Sequence, residues 1–147
     1  MISRVLDEER ANVCDTLLTK LIQDERQYDN LIDENFVVHD WFKNVTKNTD
    51  NILLCYEEDN IIEGFIFLKL IESDNKKGYV IDSLYVDTMY RNQGIASKLM
   101  STALDMIKDA DIAFIDISVM ANNKIAYSLY KKFGFDVFKI NLRKNIQ

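Results

Sequence analysis

No proline, no internal repeat and no low-complexity linker interrupts the 147 residues, so nothing in the sequence marks a domain boundary. Domains cluster near ~100–150 residues, and residues 1–147 therefore read as one domain. The chain has only two cysteines, Cys14 and Cys55, without paired spacing, which excludes a disulfide framework and a zinc site and suits a reducing compartment. Basic residues are outnumbered, 18 against 24 acidic ones, and the formal charge of -6 repels a phosphate backbone. Nucleic acid is thereby excluded as a partner, while a local basic patch for a small anion is not. No apolar run approaches the ~20 residues of a membrane span, and Met1 to Arg10 holds no apolar core of a leader segment. A cytoplasmic chain with no membrane partner is expected. The one histidine, His39, has no Ser, Cys or metal-ligand cluster in a recognised spacing, so it reads as a surface or half-buried residue. What is present is a foldable mixture: 48% hydrophobic and 29% charged residues lie outside the disorder signature and leave enough apolar surface for a core.

The apolar rhythm changes twice along the chain. Val13, Leu17, Leu18, Leu21 and Ile22 have helical spacing and predict an amphipathic first helix from Leu6 to about Ile22. Val37, Val38, Trp41, Phe42 and Val45 predict a shorter second one. From Ile52 the runs Ile52 to Tyr56, Ile61 to Ile71 and Tyr79 to Val86 are β-branched and aromatic, separated by polar turns at 57–60 and 74–78. They predict three hairpin-linked strands. Ala96, Leu99, Met100, Ala103, Leu104 and Ile107 restore a helical face. Ile112 to Val119 then reads as a strand, which makes a βαβ crossover with Tyr79 to Val86 and sets those two strands parallel. Ile125, Ala126, Leu129, Tyr130 and Phe133 predict a last helix capped at Gly134, and Phe135 to Leu142 a final strand. The fold class is α/β, a mixed antiparallel and parallel sheet with flanking helices.

With so few glycines each carries information. Gly64 lies inside a strand and suggests a bulge, and Gly78 reads as part of a hairpin turn. Gly94 is placed in Arg91-Asn92-Gln93-Gly94-Ile95-Ala96-Ser97, after a strand and at the opening of a helix. There unpaired N–H groups and the positive end of the helix dipole converge, the makings of an anion cradle, with Arg91 as a fork of donors for a pyrophosphate. A plain strand-to-helix turn is the other reading. The dinucleotide fingerprint and the Walker loop are excluded, because the first needs more glycines and the second a Gly-Lys-Ser/Thr.

These residues resemble the GNAT superfamily of acetyl-CoA-dependent N-acetyltransferases. One of its motifs, Arg/Gln-x-x-Gly-x-Gly/Ala, stands here as Arg91 to Ala96 behind the strand Ile81 to Val86. A second, Asn-x-x-Ala-x-x-Leu-Tyr-x-x-x-Gly-Phe, stands as Asn123, Ala126, Leu129, Tyr130, Gly134 and Phe135. The resemblance spans about Gly78 to Ile140 and implies an acetyl-CoA site with a βαβ core. Amides around Leu84, Tyr85 and Val86 would hold the pantetheine arm, and those of Asn92, Gln93, Gly94, Ile95, Ala96 and Ser97 the pyrophosphate. Asn123 is a pantetheine contact by resemblance and a helix N-cap by position, a role for which Asn122 competes. Tyr130 matches the family's usual proton donor to the departing thiolate. Asp82 matches a strand glutamate that some members use as a base, although others deprotonate the amine through water. On the later strand Ser118 stands where some relatives carry a glutamate, a departure from the enzymes that acetylate protein N-terminal amines. The acidic segment from Asp24 to Glu34 would attract an amine or be a solvated turn. The expected reaction is acetyl transfer to a primary amine of a small molecule or a lysine-like side chain, with no metal, and with a homodimer left open. A catalytically silent acyl-CoA-binding sensor is the alternative.

Overall fold

The computed structural model describes residues 1–146. Its centre is one five-stranded sheet of order β1-β2-β3-β4-β5, formed by β1 (Ile2–Arg4), β2 (Ile52–Glu58), β3 (Ile61–Ser73), β4 (Lys76–Val86) and β5 (Phe114–Ile117). The first four strands are antiparallel, and β5 runs parallel to β4 through the register Gly78↔Phe114 to Ile81↔Ile117. The mixed sheet expected from the sequence is thus present, with its parallel pair supplied by the βαβ crossover.

Both hairpins turn on Asp-Asn. Asp59 and Asn60 have φ of 52° and 64°, Asp74 and Asn75 of 51° and 65°. Two consecutive left-handed residues match the right-handed twist of the flanking strands, and Asp and Asn tolerate that conformation best after glycine. Gly78 is therefore not a turn residue: the turn is complete by Asn75, and Gly78 is buried within β4. A Cβ there would come within 2.4 Å of the Phe114 ring, so the absent side chain makes room for the aromatic on the neighbouring strand. Gly64 is similarly constrained, since a Cβ would lie 2.7 Å from the carbonyl oxygen of Tyr85.

Helices cover both faces. On one, α1 (Glu8–Asp24) buries Ala11, Cys14, Leu17 and Leu18 against Leu53, Phe65, Phe67 and Tyr85. Val13, expected on this face, is exposed, and Cys14 occupies the core in its place. Asp7 caps the helix by accepting the Arg10 amide. The second helix is much shorter than its apolar spacing predicted: α2 is only Phe42–Val45, because Asp40 at φ 53° breaks the chain ahead of it. Phe42 alone is fully buried there, edge-on to Phe65 and Phe67. On the other face α3 (Ile95–Ile107) packs Leu99, Met100, Ala103 and Ile107 against Leu54, Ile66, Leu68 and Ile81. α4 (Lys124–Lys132) follows β5 and ends as the sequence indicated: Gly134 has φ 90°, its N–H bonds the Lys131 carbonyl, and the Phe135 N–H reaches back to Tyr130.

Two strands differ from expectation. β1 has no counterpart in the sequence reading, since three residues carry too little pattern to signal a strand, and it owes its place to pairing with β2. Conversely, the final strand expected at Phe135 to Leu142 is absent. This segment alternates apolar and polar residues as a strand would, yet residues 136–146 pair with no neighbour and lie exposed. Alternation of side chains does not by itself place a segment in a sheet: the backbone must also pair with a strand, and that of residues 136–146 does not.

Candidate active site

Where β4 and β5 part, a cleft opens. Their pairing ends at Ile81 and Ile117, after which β4 continues to Val86 while the other chain turns away through Ser118, Val119 and Met120 toward α4. The strand edge from Asp82 to Val86 is consequently left without a neighbour on this side. The cleft, about 590 Å³, is also lined by the end of α1, the start of α3 and the inner face of α4. It gathers Asp82, Leu84, Tyr85, Val86, Arg91, Asn92, Gly94, Ile95, Ala96, Ser97, Asn123 and Tyr130, all expected from the sequence. Gln93 does not line it and is exposed.

The loop before α3 has the backbone that an anion cradle requires. Asn92 and Gly94 adopt left-handed φ of 65° and 78°. Gly94 is the N-cap of α3, with no side-chain cap and no acidic residue in the first turn. The leading N–H groups of the helix are thus left to an external acceptor. A Cβ on Gly94 would meet no protein atom within 4 Å, so its side is open space that a phosphate could fill.

Arg91, expected as a fork of donors for a pyrophosphate, lines the cleft and also makes contacts within the chain. Its Nε donates to the Val86 carbonyl at 2.9 Å, Nη2 lies 3.3 Å from Asp24, and the guanidinium stacks 5.3 Å over the Tyr85 ring. It ties the end of β4 to the end of α1 across one side of the cleft. Asn123 is the N-cap of α4, its Oδ1 accepting the Ala126 amide at 3.2 Å, while it also lines the cleft.

Asp82 enters the cleft through an irregularity. Phe67 pairs with Ser83 and Leu68 with Ile81, which makes Asp82 the extra residue of a bulge in β4. Such a bulge re-aims side chains at a strand's functional end. Ser83 beside it is 7% exposed, and its Oγ has no hydrogen-bond partner, an orphan polar atom in the cleft wall.

Tyr130 is half-buried on α4, edge-on to Phe135. Burial, with the negative charge of Glu25 nearby, pushes its phenol above the ordinary tyrosine value, so the hydroxyl keeps its proton at neutral pH. Glu25 follows α1 and lines the same cleft. Burial, and then repulsion from Asp29, raise its carboxyl above the usual glutamate range. In the sequence Glu25 is only one charge within an acidic segment. Ser83 escapes sequence reading altogether, since the unpaired state of a buried hydroxyl has no sequence signature.

The chain belongs to the acetyltransferase (GNAT) family, whose sequence profile matches residues 16–135. It is 30% identical over 106 residues to the N-alpha-acetyltransferase 50 of Danio rerio, covering 71% of this chain and 61% of that protein. To the spermine/spermidine N(1)-acetyltransferase of Bacillus subtilis it is 31% identical, covering 56% of each. The chain thus spans less than two thirds of these relatives' length. Among solved structures, a mutant form of the BH1408 protein from Bacillus halodurans superposes with a TM-score of 0.85 at 16% identity, covering 100% of this chain and 99% of that one. That likeness concerns the fold.

Proposed function

We propose that residues 1–147 act as one acetyl-CoA-dependent N-acetyltransferase domain, transferring an acetyl group to the primary amine of a small molecule or a lysine-like side chain. One observation carries the proposal: a single cleft joins an uncapped helix start, with open space over Gly94, to a protonated Tyr130 and the carboxylates of Asp24, Glu25 and Asp82. The family implies acetyl-CoA, and the residues fit it in an open cradle for phosphate, an unpaired strand edge for an amide-bearing arm, and an orphan hydroxyl at Ser83.

The bound thioester supplies an acyl carbon open to attack by an amine. The N–H groups from Asn92 to Ser97 bind the pyrophosphate, and the strand edge around Leu84 to Val86, with Asn123, orients the pantetheine. Tyr130 gives its proton to the departing sulfur. Asp82 orients the amine and accepts its proton, and the negative charge of Asp24 and Glu25 draws a cationic substrate to the cleft. The buried, free thiols of Cys14 and Cys55 suit a reducing, cytoplasmic setting. Among the described residues no helix is long and apolar enough to cross a membrane.

A second acceptor class, a protein's N-terminal amine, is favoured by the name of the Danio rerio relative. Thiol release from acetyl-CoA, followed across polyamines, aminoglycosides, lysine derivatives, N-terminal peptides and anionic amino acids, decides between these readings. Preference for the small cationic amines is expected. Best turnover with the peptides moves the acceptor to the second class, and acetyl-CoA binding without turnover of any amine identifies a silent binder.

A further inference from the structure

The charges that line the cleft do not balance. Among the described residues, the carboxylates of Asp24, Glu25 and Asp82 share its wall with one cation, Arg91. Arg91 serves Asp24: its Nη2 lies 3.3 Å from Oδ2, to which the Tyr85 hydroxyl also donates at 3.4 Å. The cations nearest the acidic segment are engaged as well, Arg143 with Asp29 at 2.7 Å and Arg26 with Glu34 at 3.7 Å. Glu25 and Asp82 therefore remain, among the described residues, the cleft carboxylates that no cation of the chain pairs.

These two belong to different walls. Asp82 is the bulge residue of β4, whereas Glu25 directly follows α1. Ser83 joins the second wall: it shares a strand face with Tyr85 and pairs with Phe67, on the side of the sheet that α1 covers. At 7% exposure, with no partner for Oγ, it is a buried acceptor for an N–H that the chain does not supply. Glu25 is half-buried, and burial with repulsion from Asp29 holds its carboxyl above the usual glutamate range. A cation beside it acts in the opposite sense, so this carboxylate gains more from an ammonium than a solvated one does.

We propose that the acceptor is a dication, a small aliphatic diamine or polyamine, whose reacting amine is oriented by Asp82 and whose second ammonium is held by Glu25, with the Ser83 hydroxyl accepting an N–H. The assignment rests on the transferase reading and names its acceptor. The reacting amine enters unprotonated; its nitrogen bonds the acyl carbon and gives one proton to Asp82, while the carbon–sulfur bond breaks and the sulfur takes the Tyr130 proton. The second ammonium stays charged throughout. It is bound alike before and during transfer, so its effect falls on KM more than on kcat.

Thiol release at saturating acetyl-CoA, measured for α,ω-diamines of about three to six carbons and for the amino alcohols of equal length, isolates the second charge. At the best length the diamine should exceed its amino alcohol by at least about tenfold in kcat/KM, chiefly through KM. Glu25→Gln keeps the side chain's shape and should bring that ratio to within about twofold of one. Glu34→Gln removes an exposed charge from the same acidic segment and should leave the ratio as it is. A ratio near one at every length, a ratio that survives Glu25→Gln, or an equal fall in Glu34→Gln would overturn the dication and leave the transferase reading standing. Absence of thiol release with both series would overturn it too, and only failure across the whole acceptor panel removes the transferase reading itself.

Discussion

Replacing Gly94 by valine separates backbone strain from ligand contact at a single position. At φ 78° a β-branched residue costs about 1–2 kcal/mol, while an added Cβ meets no atom within 4 Å outside the adjoining residues. A modest fall in melting temperature is expected, together with loss of the stabilisation that acetyl-CoA gives the parent, about 2.7 kcal/mol at a hundredfold excess over its dissociation constant. Thermal unfolding with and without acetyl-CoA measures both, and an unchanged ligand effect would remove the phosphate role from this loop. Tyr130→Phe keeps the ring beside Phe135 and deletes only the proton donor. A positioned acid contributes roughly 10²–10⁴-fold, so kcat should fall by at least tenfold while the acetyl-CoA dissociation constant moves by less than about tenfold. A twofold fall, with chemistry limiting turnover, would reduce Tyr130 to packing.

Glu25 provides a pH test whose sign is fixed. Its folded carboxyl titrates above the unfolded one, chiefly through burial, so the native state holds the proton more tightly. Stability from this group is therefore lost as pH rises from the unfolded value through the raised folded one, and the cost of ionising it in the cleft is complete at neutral pH. Glu25→Gln should melt higher than the parent at pH 7, with the difference vanishing below the ordinary glutamate range. A lower melting temperature at pH 7 would show that the charge is stabilised by a contact absent from this account.

Among the elements, α1 and α2 are joined through one buried carboxylate. Asp15, 5% exposed, accepts the amides of Trp41 at 3.3 Å and Phe42 at 3.0 Å, and so caps the short helix that carries Phe42 into the core. Asp15→Ala strands these donors, and a buried donor left unpaired costs about 1–3 kcal/mol. Urea unfolding should show a loss of that size, and a change below about 0.5 kcal/mol would mean that water replaces the carboxylate. This carboxylate also explains part of what the sequence concealed. The long helices and three strands were legible because Leu99, Ala103 and Ile107, or Phe65 and Phe67, repeat with the period of the surface that they bury. α2 was overestimated because Val37 and Val38 share the spacing of Trp41 and Phe42 yet lie ahead of the break at Asp40, where the Val38 amide donates to the Thr19 hydroxyl instead of a helical carbonyl, and the true determinant, Asp15, is distant in sequence. The site divides in the same way: the Gly94 loop and Tyr130 lie in contiguous motifs, whereas Ser83 and the Asp82 bulge follow from pairing with Phe67 across the sheet.

For the molecule as a whole, the sheet is laid down in chain order, each strand neighbouring the next. β3 is paired on both sides from Gly64 to Leu68 and on one side along the rest, while β5 contributes only four residues to one side. Hydrogen exchange followed by mass spectrometry should therefore find β3 the slowest and the β5 to α4 segment faster, with acetyl-CoA narrowing the gap. Equal protection of β3 and β5 without ligand would contradict this.

That ordering also gives the protein a history during synthesis. Four strands and their covering helix are complete when Val86 has been made, before any residue of α3 or α4 exists to close the cleft. Neighbouring strands joined by two-residue turns contact one another at short sequence separation, which favours rapid formation. In chain order the face of the half-sheet that carries Ile66 and Leu68 precedes its cover, which α3 supplies, and the last wall of the cleft comes from α4. What forms last and is held by fewest strands opens first, so the supply of acetyl-CoA would set how often a protease finds the segment from β5 to α4 undone.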